Sequence, residues 1–100
     1  VSVVEVLGHS AAQIAGQLDA RLSADEIQDW SHGTPRSWAM DTFEVGRRDA
    51  YALPSTPTCR SGAAVSLSPA YRRQAEKDAV TQLLKAAVRL AAALNGALGP

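Results

Sequence analysis

The stretch SPAYRRQAEKDAVTQLLKAAVRLAAALNG, residues 68–96, decides the architecture. Ser68 followed by Pro69 opens a helix, with proline at the first helical position, where its missing N–H costs nothing. Tyr71, Ala75, Val80, Leu83, Leu84, Ala87, Leu90, Ala91 and Leu94 make its apolar side, and Asn95-Gly96 is a usual stop signal. One long helix is expected to close the chain.

Working back from it, residues 54–67 carry Pro54, Pro57, Gly62 and small polar residues, and read as an internal loop. Before the loop, Thr34 as cap and Pro35 as first residue start a helix expected to run to about Leu53. Trp38, Ala39, Thr42, Val45, Gly46, Ala50 and Leu53 share one side of it. Thr42, Gly46 and Ala50 form a lane of small residues along which another helix can approach. Glu44 and Arg48, four apart, read as an exposed ion pair of about 0.3–0.5 kcal/mol. Ser31-His32-Gly33 separates this helix from a shorter one that begins at the capping box Ser23-Ala24-Asp25-Glu26 and reaches Trp30. Its acids Asp25, Glu26 and Asp29 suit the positive end of the helix dipole. A further box, Ser10-Ala11-Ala12-Gln13, opens the first helix, with Leu7, Ala11, Ile14, Leu18 and Leu22 at the spacing of one buried face. Residues 1–7 are β-branched and ambiguous, but no second strand exists for them to pair with, so helix or irregular structure is favoured there. No internal repeat or heptad is present. The expected fold is all-α, about four helices with a long C-terminal one.

Composition agrees with that fold. The chain has 100 residues, of which 46% are hydrophobic, but 19 are alanine and only 5% are aromatic, so its core must come from close helix packing. A chain of this size hides only about 60–65% of its unfolded surface, which leaves it marginal without a partner surface. Ten basic and ten acidic side chains cancel, which excludes a histone-like tail and a disordered acidic segment. No apolar run reaches the roughly 18 residues of a membrane span. The halves differ, however: residues 1–59 hold four basic and eight acidic groups, residues 60–100 six and two. Arg72, Arg73, Lys77, Lys85 and Arg89 are expected on a solvated basic face opposite the acidic half. Residue 1 is valine, the single methionine is Met40, and no signal peptide precedes the first helix, so the chain reads as continuing from polypeptide upstream. Cys59, the one cysteine, cannot form an internal disulfide; it is an idle thiol or a bridge to a cysteine outside these residues.

Chemistry is hard to find in these residues. No phosphate-cradling glycine loop is present. His9 and His32 lack metal-ligand spacing and read as loop or cap residues. Ser10 beside His9 is a helix cap before it is a nucleophile. Asp41 and Glu44 share a helix at i,i+3, but Arg47 and Arg48 beside them point to a surface ion-pair network. The chain is expected to hold no catalytic, cofactor-binding or metal-binding residue of its own.

Two segments nevertheless carry a resemblance. Trp30-x-x-Gly33-Thr34-Pro35-x-x-Trp38-Ala39-Met40-Asp41-Thr42, then Arg48-Asp49-Ala50-Tyr51, is similar to a segment of the zinc-dependent single-strand nucleases of the S-one/P-one family. The family typically shows Glu and Ser where Asp41 and Thr42 stand here, a conservative departure. After a variable loop it has a lone tyrosine and a last helix ending Gln-Leu-Ala-Lys-Ala-Gly-x-Arg-Leu-Ala-x-x-Leu-Asn. This chain has Tyr71, then Gln82 to Asn95, with Leu84 for the first alanine and Ala87 for the glycine. The similarity covers about residues 27–95.

That resemblance implies the fold shared with zinc phospholipase C, and an enzyme that holds three zinc ions through an N-terminal tryptophan, histidines and aspartates. None of those ligands falls on the matched stretch, so the chain resembles the C-terminal part of such an enzyme and is expected to bind no zinc by itself. In the implied whole protein, metal-activated water cleaves single-stranded DNA or RNA and 3′-nucleotides, in the periplasm or outside the cell. Arg36, His32 or the basic face are the candidate contacts for nucleic acid, though nothing in their spacing requires one. Two other readings stand beside it: a non-catalytic helical interaction module, and a phospholipase-like phosphodiesterase on the same scaffold.

Overall fold

A computed structural model describes residues 10–52 and 66–99. Four α-helices follow in order: α1 (Ala11–Asp19), α2 (Ala24–Ser31), α3 (Pro35–Val45) and α4 (Pro69–Leu98). The backbone of α3 continues into a π-helical turn, Gly46–Ala50. No strand occurs among the described residues, and the expected all-α architecture is found. The expectations for residues 1–7, for His9, Leu53 and Cys59, and for most of the 54–67 loop lie outside the described residues.

Each helix starts where its cap residue dictates. Ser10 Oγ accepts from the Gln13 amide at 3.1 Å. Ser23 and Glu26 complete a reciprocal box, at 3.1 and 3.0 Å. Thr34 and Ser37 do the same, at 3.2 and 2.9 Å, ahead of Pro35. Ser68 accepts from the Tyr71 amide at 3.1 Å. These bonds satisfy amides that have no partner within their own helix.

The ends depart from expectation. The third helix does not remain α-helical to Leu53; it widens at Gly46 and stops at Ala50, and the Tyr51 amide closes the turn by donating to the Gly46 carbonyl at 3.1 Å. The last helix runs through Asn95-Gly96 and stops only at Gly99, whose φ of 81° is the left-handed conformation glycine tolerates. Ala97 and Leu98 prolong the helix past the first glycine, whose cost of about 1 kcal/mol relative to alanine is not enough to break it.

Helix α4 is the spine, and α1, α2 and the π turn pack against it. Ile14, Leu18 and Leu22 of the predicted face turn inward, while Ala11 is exposed. Among the described residues only Leu84 and Val88 are buried, each 6% exposed. Much of the apolar side assigned to α4 is open: Leu83, Leu90 and Leu94 are 45, 61 and 49% exposed. Helix α4 is apolar on more than one side, and the described helices cover only the side of Leu84 and Val88. No helix among the described residues is long and apolar enough to cross a membrane.

Candidate functional site

The inner face of α3 is set by Trp38, Asp41 and Val45, and it continues through Asp49 of the π turn. Two of these four are acids, so what α4 presents opposite them decides the contact. Opposite Asp41 are two cations. Lys85 Nζ and Arg89 Nη2 both donate to Asp41 Oδ2, at 2.9 and 3.0 Å. Lys85 and Arg89, four apart on α4, have side chains only 16 and 14% exposed. The Lys85 hydrogen bond, with the nearby Arg89, holds the Asp41 carboxyl below its ordinary value against the opposing effect of burial.

Both tryptophans complete this cluster. Lys85 Nζ lies 5.8 Å from the Trp30 ring centroid and the Arg89 guanidinium 5.7 Å from that of Trp38. Each cation is therefore shared between a carboxylate and the negative face of an indole. Trp38 is held in turn by its indole N–H, which donates to the His32 carbonyl at 2.8 Å. His32 thus acts through its backbone, as the cap at the end of α2. Gly33 makes room: its φ is 103°, and a Cβ there would stand 2.6 Å from Ser37 Oγ and 3.1 Å from Trp38 Nε1. One turn away, Thr42 Oγ1 bonds Gln82 Oε1 at 3.1 Å. Arg89 Nε, buried, has no acceptor among the described residues.

A second contact lies at the π turn. There Asp49 faces another acid, Asp78 of α4. Arg48 clasps Asp49 with two bonds, at 3.0 and 2.9 Å, and together with the hydrogen bond to Asp78 this brings the Asp49 carboxyl down to about 2. Asp78 is pushed up, first by burial and then by the carboxylate of Asp49, with Gln74 Nε2 donating to its Oδ1 at 2.9 Å. The pair is therefore pushed apart, Asp49 toward the carboxylate and Asp78 toward the protonated acid. Nearby the Tyr71 hydroxyl donates to the Ala50 carbonyl, a helix-end acceptor otherwise without a partner in its own helix. Val45, Gly46, Asp49, Ala50, Tyr71, Ala75 and Asp78 line a cleft of about 140 Å³ here.

Several expectations are corrected by this geometry. Glu44 pairs with Arg47, at 2.7 Å, and Arg48 with Asp49, so the expected Glu44–Arg48 pair does not form. Asp41 leaves the surface network assigned to it and crosses to α4. Lys85 and Arg89 leave the solvated basic face for the same reason, since a carboxylate reaches them inside the helix contact. The small-residue lane meets α4 at both ends, Thr42 through Gln82 and Ala50 through Tyr71, but a Cβ on Gly46 would meet nothing within 4 Å, so the contact does not depend on a small residue there. Asp78 had no role in the sequence pattern and gains one only because the π turn faces it.

Among the described residues no group of three or more His, Cys, Asp or Glu is placed to hold a metal ion. Asp41 and Asp49 are engaged with cations, and burial beside Asp49 disfavours the charged form of Asp78. These described side chains do not fit a zinc site. What they define is a helical scaffold whose polar residues join α3 to α4. A profile of the S1/P1 Nuclease family matches residues 3–99, nearly the whole chain. The chain belongs to the S1/P1 nuclease family, a family of hydrolases. No curated protein and no solved structure matches it.

Proposed function

We propose that this chain is the supporting C-terminal part, within one larger all-α domain, of a zinc-dependent nuclease that cleaves single-stranded DNA or RNA and 3′-nucleotides. One observation carries the reading. The residues at the family's motif positions, Trp30, Trp38, Asp41, Thr42, Tyr71, Gln82, Lys85 and Arg89, are used in bonds and ring contacts that tie one helix to the next. Residues spent on one another are not available as ligands, so the metal set belongs to polypeptide outside the described residues. The open apolar side of α4, at Leu83, Leu90 and Leu94, is the surface against which that polypeptide packs. A metal-activated water attacks phosphorus only when its ions keep fixed separations, and a rigid wall behind the ligand helices supplies that constancy. The family assignment favours nucleic acid over a phospholipid as the phosphodiester, and the proposed compartment is the periplasm or the exterior.

The test is the whole polypeptide encoded with this chain, purified and assayed on single- and double-stranded DNA. Bound zinc and chelator-sensitive cleavage of the single strand support the proposal. A whole polypeptide that carries no zinc and leaves single strands intact overturns it.

A further inference from the structure

The described cations divide into two groups. Lys85 and Arg89 are taken by Asp41, Arg47 by Glu44 and Arg48 by Asp49. Arg21, Arg36, Arg72, Arg73 and Lys77 have no acidic partner among the described residues. Three of these five meet in one place. Arg21, Arg73 and Lys77, with Glu76, Val80 and Thr81, line an open groove of about 330 Å³ between the turn after α1 and the first half of α4. Arg21 is carried there by the packing of Leu18 and Leu22, and its amide donates to the Leu18 carbonyl at 3.0 Å. Arg73 and Lys77 sit four apart on α4, about 6 Å along its axis. The fold therefore draws together like charges that lie far apart in sequence, with only the carboxylate of Glu76 among them. Such a juxtaposition is repulsive until an anion occupies it.

We infer that this groove, made of Arg21, Arg73 and Lys77, binds the phosphodiester backbone of a nucleic-acid strand as a site separate from the reacting centre. The inference rests on the nuclease reading for the identity of the polyanion. The groove offers point charges and no aromatic platform, so it holds phosphates without reading bases. Its effect is to keep a long strand on the enzyme, and a dinucleotide is too short to use it.

The experiment uses the whole polypeptide and compares kcat/KM on a 20-nucleotide single strand and on a dinucleotide, from 50 to 200 mM salt. Three phosphate contacts make a salt dependence of about 20-fold across that range for the long strand. The variant R21A/R73A/K77A should lose that part of the dependence and fall at least tenfold on the long strand at low salt, with the dinucleotide changed less than twofold. Arg73→Lys, which keeps the charge, should retain most of the effect. Equal losses on both substrates, or no loss on either, overturn the groove. If the wild type cleaves neither substrate, the nuclease reading fails instead. The groove is then judged by fluorescence anisotropy of the labelled 20-nucleotide strand, where equal binding by wild type and triple variant overturns it.

Discussion

The two places where an acid of α3 or its π turn meets α4 are built to opposite plans. At Asp41, two cations converge on one carboxylate oxygen, each backed by an indole ring. At Asp49, an acid meets an acid, with Arg48 clasping Asp49 on one side and burial disfavouring the charge of Asp78 on the other. The first contact fastens the helices at any pH where Asp41 is ionised. The second can be tuned by acid. The difference shows that two aspartates eight residues apart on one inner face need not have the same job.

Asp41→Ala should show the largest effect, because it leaves Lys85 and Arg89 half-enclosed without a counter-charge. Asp41 is itself 37% exposed, so solvent softens the loss to about 2 kcal/mol, a fall in Tm of about 4–8 °C in the whole protein. An unchanged melting curve would mean that the cluster fastens nothing. Next comes Trp38→Phe, which removes the donor to the His32 carbonyl and weakens the cover over Arg89. About 1–2 kcal/mol is expected by chemical denaturation, and a double variant with Asp41→Ala should lose less than the sum. Tyr71→Phe strands the Ala50 carbonyl, at about 1 kcal/mol, and acts on the second contact alone.

The smallest change has the opposite sign. Asp78 has a raised folded pKa, so its contribution is present at low pH and is lost as pH climbs through that value. Asp41 and Asp49 have lowered values, so theirs is present above about 3.8 and is lost as pH falls. Asp78→Asn keeps an acceptor for Gln74 and provides a permanent donor to Asp49. The variant should match the wild type near pH 3 and exceed it at pH 7, by under 1 kcal/mol, read from Tm across that range. A variant less stable at pH 7 would show that the charge of Asp78 does not oppose that of Asp49.

Most of the helical frame was legible because local chemistry sets it. Ser23, Thr34 and Ser68 mark helix starts through bonds made within three residues, and no tertiary context can easily move them. Helix ends were less legible, since Gly96 and Gly99 are both permitted stops and the π turn at Gly46 has no distinct local code. The Asp41 cluster could have been found. Lys85 and Arg89 are the only charges in residues 79–98, spaced to share one side of an otherwise apolar helix, which asks for a counter-ion from elsewhere. Asp78 could not, because its partner is set by a backbone widening that only the folded chain reveals.

The central claim is that these helices support a reaction whose metal ligands lie on other polypeptide. Titration of the isolated 100-residue chain with Zn²⁺, followed by metal analysis after desalting, tests it most directly. The account predicts well under one equivalent retained and no cleavage of single-stranded DNA. Retention of one or more equivalents, with cleavage abolished by a chelator, would contradict it.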